Sequence, residues 1–503
     1  MNAKLSKDIE ENIRTIEGLF MNCYDIVIRR LEIGGGYKVK IAVLYIDGLI
    51  DKNHVSEYTI GFLNSEASGS FSAMGHGNDI LDTISKEVLA NAEIEEESNM
   101  ENIVDAILSG DAVLMADKAD KAIVIGSRGW VFRSIEEPQT EAVIRGPREG
   151  FTEVLKFNVT MIRRRIKDTN LKIVVKPIGR RSKTAVAILY MEDIVDKTFL
   201  QELNRRLQAV DIDSISDSSS LEYLIEDNYM SAFPQIENTE RPDSVAASLY
   251  EGRVALIVDN SPFALILPAT IGTILQSSED YYSRWSDSTF VRFIRIIAVG
   301  LTVLSPSLYI AITAYHPGLL PAKLTYFLAA SRIDVPFPAV VEATLMELTL
   351  ELLRESGTRV AGPIGSTVGI VGGLIIGQAA VDAGIVSPLM IIIVAVTTIA
   401  SFVIPSHEFA SGLRVWRFIL MGFSAVLGLY GIMLAVILLI SHLIKMDSFG
   451  IPYTSPYSGL GIATGDLKDT LIKAPIQHLR ERPNFTRPQN KVRMGGYWKN
   501  GRK

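Results

Sequence analysis

Three carboxylates, Glu342, Glu347 and Glu351, sit in or beside the apolar stretch Val340 to Arg354 (VVEATLMELTLELLR). Glu347 and Glu351 are four residues apart and share a helix face, Arg354 follows three residues later, and Leu345, Leu348 and Leu352 fill another face. Charge is costly in or near hydrocarbon, so these carboxylates are candidates for an acidic vestibule that attracts cations. The plain alternative is an amphipathic helix at the membrane surface, with Glu351 paired to Arg354.

The next stretch, Gly362 to Pro388 (GPIGSTVGIVGGLIIGQAAVDAGIVSP), carries glycines at fixed spacing. Gly365, Gly369, Gly373 and Gly377 recur every four residues and form a stripe without side chains, the pattern that lets membrane helices approach closely. Thr367, Val371, Leu374 and Gln378 occupy the opposite face and are the candidate pore lining. Each Ile, Val or Leu favours insertion by roughly 0.3 to 0.6 kcal/mol. An unpaired amide at Gln378 costs about 2 kcal/mol or more. Such a helix needs protein neighbours, whether in a plain bundle or around a water-filled path.

Other chemistry is missing from the sequence. The histidines, at 54, 76, 316, 407, 442 and 478, have no partners at ligand spacing, and no CxxC, HExxH or phosphate loop occurs. The expectation is no catalytic residue, no cofactor and no metal. His316, in YHPGLLP, reads as a hydrogen-bonded structural residue. The single cysteine, Cys23, allows no internal disulfide and reads as a small apolar residue. A net charge of -7 over 503 residues argues against a nucleic-acid partner.

The elements that must position these residues come from composition and repetition. A hydrophobic content of 48% and a mean hydropathy of +0.23 place part of the chain in membrane lipid. The N-terminus is acidic, lacks a long apolar run and is not a secretory signal, so the first half should stay in the cytoplasm. In that half, Lys38 to Ile46 alternates as a strand, with a helix expected from Asn53 to about Phe62. IAVLYIDGLIDK returns as AVAILYMEDIVDK at Ala185 to Lys197, and Ile103 to Asp117 resembles Val245 to Asp259, each a helix, a turn glycine (Gly110, Gly252) and a buried strand. A tandem duplication of one α/β unit follows. The acidic runs Glu93 to Glu101 and Asp211 to Ser220 read as exposed loops, and Arg163 to Lys167 (RRRIK) as a solvated helix face or a lipid head-group contact.

The fold class is therefore α/β plus membrane all-α. The expected domains are 1–150 and 151–260 (the two α/β copies), 261–449 (a transmembrane helix bundle) and 450–503 (a basic cytoplasmic tail). Each α/β copy ends in a strand pair, the second at Phe263 to Pro268, while Phe263 to Leu275 as a whole is too short to span and reads as interfacial or re-entrant. Arg284, Arg292 and Arg295 mark a cytoplasmic flank. Spans are expected at Phe293 to Thr313, through the glycine stripe, at Pro388 to Ile404, and at Val415 to Ile444, which exceeds one bilayer thickness. Four spans put both termini in the cytoplasm, and a further pair between 315 and 357 would too.

An ordered series of motifs carries a resemblance: ENTERPD (Glu237 to Asp243), SPFALILPATIG, SSEDYYSRW, YHPGLLP, VPFPAVVEATLMELTLELLRESG, IGQAAVDAGIVSP and SFGIPYTSPYSG. It resembles the GerA family of spore germination proteins, specifically the A subunit of a nutrient germinant receptor. YHPGLLP and SFGIPYTSPYSG resemble that receptor branch more than the sister branch encoded with stage-V dipicolinate-release proteins. The resemblance implies a protein of the spore inner membrane that works with a transporter-like B subunit and a lipoprotein C subunit. It also implies a homo-oligomer, a pentamer in the family's pattern, around a path for monovalent cations. In such a ring the glycine stripe would pack neighbouring copies and the leucines would gate by dewetting. The reading from another class is a non-conducting signalling subunit.

Overall fold

The computed structural model describes residues 4–33, 39–51, 77–85, 93–129, 137–359, 373, 376–458 and 466–495. The helix expected from Asn53 to Phe62 lies outside them. The chain divides into two compact units, Met1–Glu226 with Ile236–Pro268 and Arg480–Lys503, and Asp227–Gln235 with Ala269–Leu479.

Two five-stranded antiparallel sheets build the first unit. One contains β1 (Ile26–Ile33), β2 (Val39–Ile46), β3 (Ile94–Glu97), β4 (Ala112–Ala116) and β5 (Ala122–Ile125), in the order β1-β2-β4-β5-β3. The other contains β6 (Leu171–Ile178), β7 (Thr184–Met191), β8 (Glu237–Thr239), β9 (Val254–Val258) and β10 (Ala264–Leu267), in the order β6-β7-β9-β10-β8. The second order is the first with each strand advanced by five. Leu44 pairs with Ile28 and Val113, and its counterpart Leu189 with Ile173 and Ala255.

Side-chain alternation explains how the first sheet is covered. Ala42, Leu44 and Ile46 join the cluster under α1 (Ile9–Leu19) and α3 (Met100–Ser109), whereas Ile41, Val43 and Tyr45 join Ile80 and Leu81 of α2 (Gly77–Thr83). In the second sheet Ala187, Leu189 and Met191 meet α4 (Leu155–Arg165) and α7 (Pro242–Tyr250), while α5 (Lys197–Ala209) and α6 (Ser218–Ile225) lie between β7 and β8 in sequence. Gly110 and Gly252 end α3 and the α7 turn with φ of +94° and +88°, a conformation glycine adopts without strain. A β-carbon at Gly110 would stand 3.1 Å from Leu49, and one at Gly252 3.2 Å from Ile194. Leu49 and Ile194 occupy matching positions of IAVLYIDGLIDK and AVAILYMEDIVDK, so the two turns close against similar apolar side chains.

Several expectations change within this unit. Arg163, in the RRRIK run, neither faces solvent nor meets lipid: it is fully buried and donates through Nε and Nη2 to Asp25 at 2.8 and 3.0 Å. Arg164 and Arg165 pair with Glu149. The acidic run at 93–101 holds the edge strand β3, and in the other Asp217 caps α6, with Ser220 donating to it. Cys23 is buried, donates to the Leu171 carbonyl at 3.4 Å, and has its thiol pKa raised by burial. In ENTERPD, Glu240 accepts from the Gln139 and Thr140 backbone amides, Thr239 donates to Glu141, and Arg241 donates to the Glu141 and Pro147 carbonyls. The motif thus straps the connection between the two sheets. Burial pushes the Glu141 carboxyl up to about 7. The tail at 480–495 joins this unit through hydrogen bonds from Gln489 to Ile194 and from Thr486 to Glu251.

The second unit is helical. It contains α8 (Trp285–Ala314), α9 (Ala322–Ser331), α10 (Ala339–Arg359), helical residues 376–382, α11 (Pro388–Val403), α12 (His407–Leu427) and α13 (Leu429–Lys445). Helices α8 and α12 are long and apolar enough to cross a membrane, with mean hydropathies of 2.0 and 1.3, and α11 and α13 are shorter apolar helices. The expected single span from Val415 to Ile444 is instead two helices broken at Gly428. That residue has φ +59° and ψ -134° and donates to Ser424. A left-handed residue cannot continue a right-handed helix. Phe263 to Leu275 is also redrawn: β10 sits between β9 and β8, and Ile271–Ile274 forms one helical turn in the other unit. The strand's backbone finds its hydrogen bonds in the sheet, which removes the reason to place it in the interface.

Candidate functional site

Helix α10 begins after Pro338 and runs for 21 residues, long enough to carry its three carboxylates past several neighbours. Each meets an arginine of the same unit, in a different way.

Glu342 is buried and fully engaged. Its Oε1 accepts from the backbone N–H and the hydroxyl of Ser387 at 2.7 and 2.6 Å, its Oε2 accepts from the Tyr309 hydroxyl at 3.1 Å, and Arg332 lies 3.4 Å away. Ser387 is the N-cap of α11 and accepts from the Met390 N–H. The carboxylate thus stands at a helix N-terminus, where the backbone field favours negative charge. One side chain joins α8, α10 and α11.

Glu347 is completely buried, and its Oε2 lies 3.0 Å from Nη2 of Arg417 on α12, itself 1% exposed. Neither Glu347 oxygen nor Arg417 Nε makes a geometrically sound hydrogen bond to a described group. Coulomb attraction, not a full bonding network, holds this pair. Glu351 is more open, at 38% side-chain exposure, and is shared by Arg354 at 3.2 Å and Arg414 at 3.3 Å. The Arg354 guanidinium also sits 5.9 Å from the Phe402 ring of α11. Arg332, Arg414 and Arg417 were not picked out from sequence as partners. The available signal was an arginine, Arg417, inside the apolar run that follows Trp416.

Of the glycine stripe and the opposite face, Gly365, Gly369, Thr367, Val371 and Leu374 lie outside the described residues. Among the described residues a β-carbon at Gly373 would meet nothing within 4 Å, and one at Gly377 would touch Ile391 of α11 at 3.7 Å. Gln378 is exposed and donates to Asp382 at 3.0 Å, one helical turn on.

Arg292 and Arg295, expected on a cytoplasmic flank, lie inside the helical unit. They are buried and converge on Asp280 at 3.2 and 2.6 Å, with Asp469 and Lys473 closing the cluster. His316 rests its Nδ1 3.4 Å from the Ala311 carbonyl, against the Gly428 turn. Among the described residues, no group of three His, Cys, Asp or Glu side chains could hold a metal ion.

Two helices long and apolar enough to cross a membrane, on a chain whose other unit holds a pair of α/β sheets, mark a membrane-associated protein. The chain belongs to the family described as Bacillus/Clostridium GerA spore germination protein, which it matches over residues 14–485. It is 41% identical over 461 residues to the spore germination protein GerLA of Bacillus cereus, covering 92% of each chain. It is 40% identical to spore germination protein KA of Bacillus subtilis, covering 98% of this chain and 89% of that one. It is also similar to the crystallised N-terminal domain of the A subunit of the Bacillus megaterium spore germinant receptor GerK3. That similarity has a TM-score of 0.43 and 30% identity, over 54% of this chain and 98% of that domain.

Proposed function

We propose that this chain is the A subunit of a nutrient germinant receptor in the spore inner membrane, where copies form a ring around a nutrient-gated path for monovalent cations. Family membership supports the germination role. The observation that carries the ion path is α10: three carboxylates kept inside or beside apolar helices, each matched by an arginine. Ionisable groups in such surroundings are expensive and mark ion pathways. In the ring, a pentamer in our reading, Gly365, Gly369, Gly373 and Gly377 pack one copy against the next. Thr367, Val371, Leu374 and Gln378 surround the axis, and Glu351, the most open of the three carboxylates, faces an acidic vestibule.

The helical unit is a polytopic bundle with both termini in the cytoplasm, and the first unit is a tandem duplication that serves as scaffold or sensor. Matching strand orders and the equivalent Gly110 and Gly252 turns support the duplication. The transporter-like B subunit and the lipoprotein C subunit complete the receptor.

Planar-bilayer recording of the purified chain with both partner subunits tests the reading, using a mixture of L-amino acids, sugars and purine nucleosides as stimulus. The expected result is cation-selective opening on addition of the mixture, and leak without it after Leu374→Ala. Silence under all conditions would make the chain a non-conducting signalling subunit.

A further inference from the structure

Residues 227–235 interrupt the second sheet of the first unit, between α6 and β8, yet they belong to the helical unit. Phe233 is 2% exposed and stacks 5.3 Å from Phe409 of α12, and the Ala232 carbonyl occupies the space where a β-carbon on Gly412 would stand. The Ser231 hydroxyl lies 3.1 Å from His442 Nε2 and 3.2 Å from Met446 Sδ, and Asp227 accepts from the Phe449 N–H at 2.6 Å. The segment is therefore fixed to the last turn of α13.

Its turn leaves two large side chains without cover. Tyr229 and Met230 are 77% and 79% exposed, on a turn held by hydrogen bonds to Asn228. The Asn228 side chain accepts from the Met230 N–H, its carbonyl accepts from Ser231 and from the Gln235 amide, and its own N–H donates to Gln235. A turn braced by these internal hydrogen bonds can enter a lipid head-group layer, where water still meets the polar groups that remain. An exposed tyrosine beside a methionine, on an otherwise polar turn, suits the boundary where one end is wet and the other apolar.

The neighbouring surface identifies the occupant. Ile437, Leu438, Ile440 and Ile444 of α13 are about half exposed and form the apolar exterior that lipid would cover, and Lys445 ends the helix in the open. The turn that carries Tyr229 and Met230 is joined to the end of α13 through Ser231, which meets His442 and Met446, and Lys445 there is a cation that anionic head groups would favour. We propose that the turn at 228–231 is an interfacial anchor, its tyrosine and methionine seated among lipid head groups and first acyl carbons beside the end of α13. This rests on the reading of α13 as a membrane helix.

Nitroxide labels test it in the full chain, with Cys23→Ser as background, reconstituted into nanodiscs of phosphatidylglycerol and phosphatidylethanolamine. Single labels replace Tyr229, Met230, Leu438 and Tyr24, the last 65% exposed on the first unit. The ratio of collision with oxygen to collision with nickel ethylenediaminediacetate is expected to be severalfold higher at 229 and 230 than at 24, and to approach the value at 438. Equal ratios at 229, 230 and 24, with 438 in lipid, overturn the anchor alone. A water-like ratio at 438 overturns the membrane reading of α13 and the anchor with it.

Discussion

Glu347 of α10 and Arg417 of α12 face each other across 3.0 Å with almost no exposed surface on either. Removing one partner strands a buried charge, whereas removing both removes the problem. Glu347→Ala and Arg417→Ala are each expected to destabilise the helical unit by about 3–5 kcal/mol. The pair Glu347→Leu with Arg417→Met is expected to recover most of that loss. Thermal unfolding of the four proteins in one detergent, read as a double-mutant cycle, measures the coupling.

Asp25 and Arg163 form the corresponding buried pair of the first unit, 138 residues apart in sequence. Arg163→Ala is expected to cost about 3–5 kcal/mol by leaving Asp25 unpaired. Arg163→Lys keeps the charge but loses the fork that bonds both oxygens, so it is expected to fall between Ala and the natural residue. Hydrogen exchange should quicken where Asn22 and Tyr24, just before Asp25 in sequence, exchange backbone hydrogen bonds with Ile173 of β6.

Gly428 holds a positive φ between α12 and α13 that side-chain-bearing residues rarely adopt, and a β-carbon there would meet His316 at 3.0 Å and Tyr315 at 3.1 Å. Gly428→Ala is expected to cost about 1–3 kcal/mol from backbone strain alone. Gly422 is a fair control, since a β-carbon there meets nothing within 4 Å. Melting temperatures of the two alanine variants should separate, with Gly428→Ala the lower.

Glu141 gives the first unit a pH dependence. Burial raises its carboxyl to about 7, against the Thr239 hydrogen bond, which lowers it, and the nearby Glu237 charge, which raises it. The folded protein therefore holds this proton more tightly than the unfolded chain, whose ordinary value is near 4.5. That contribution is complete below the unfolded value and is lost as pH rises through about 7, with an upper bound of about 3 kcal/mol. Glu141→Gln, neutral throughout, is expected to flatten the fall in melting temperature between pH 5 and 8 (a window of roughly the unfolded-to-folded interval).

Legibility in the sequence followed the range of the interactions. The alternation of Val39–Ile46, the glycine turns at 110 and 252 and the apolar run of α8 are local signals, and the structure uses each one. The Gly428 break was hidden because apolar residues continue on both sides, and hydropathy does not register a left-handed φ. RRRIK read as a surface run because the partner of Arg163 lies 138 residues away. The carboxylates of α10 could be picked out as costly charges, but Arg332 at the end of α9 and Arg414 and Arg417 on α12 are brought to them only by folding.

The ring itself is tested most directly by electron microscopy of the purified chain in lipid nanodiscs. The account predicts a closed symmetric assembly in which Gly365, Gly369, Gly373 and Gly377 touch the neighbouring copy while Thr367, Val371, Leu374 and Gln378 surround the axis. Single copies, or a ring with those four side chains turned to acyl chains, would contradict it.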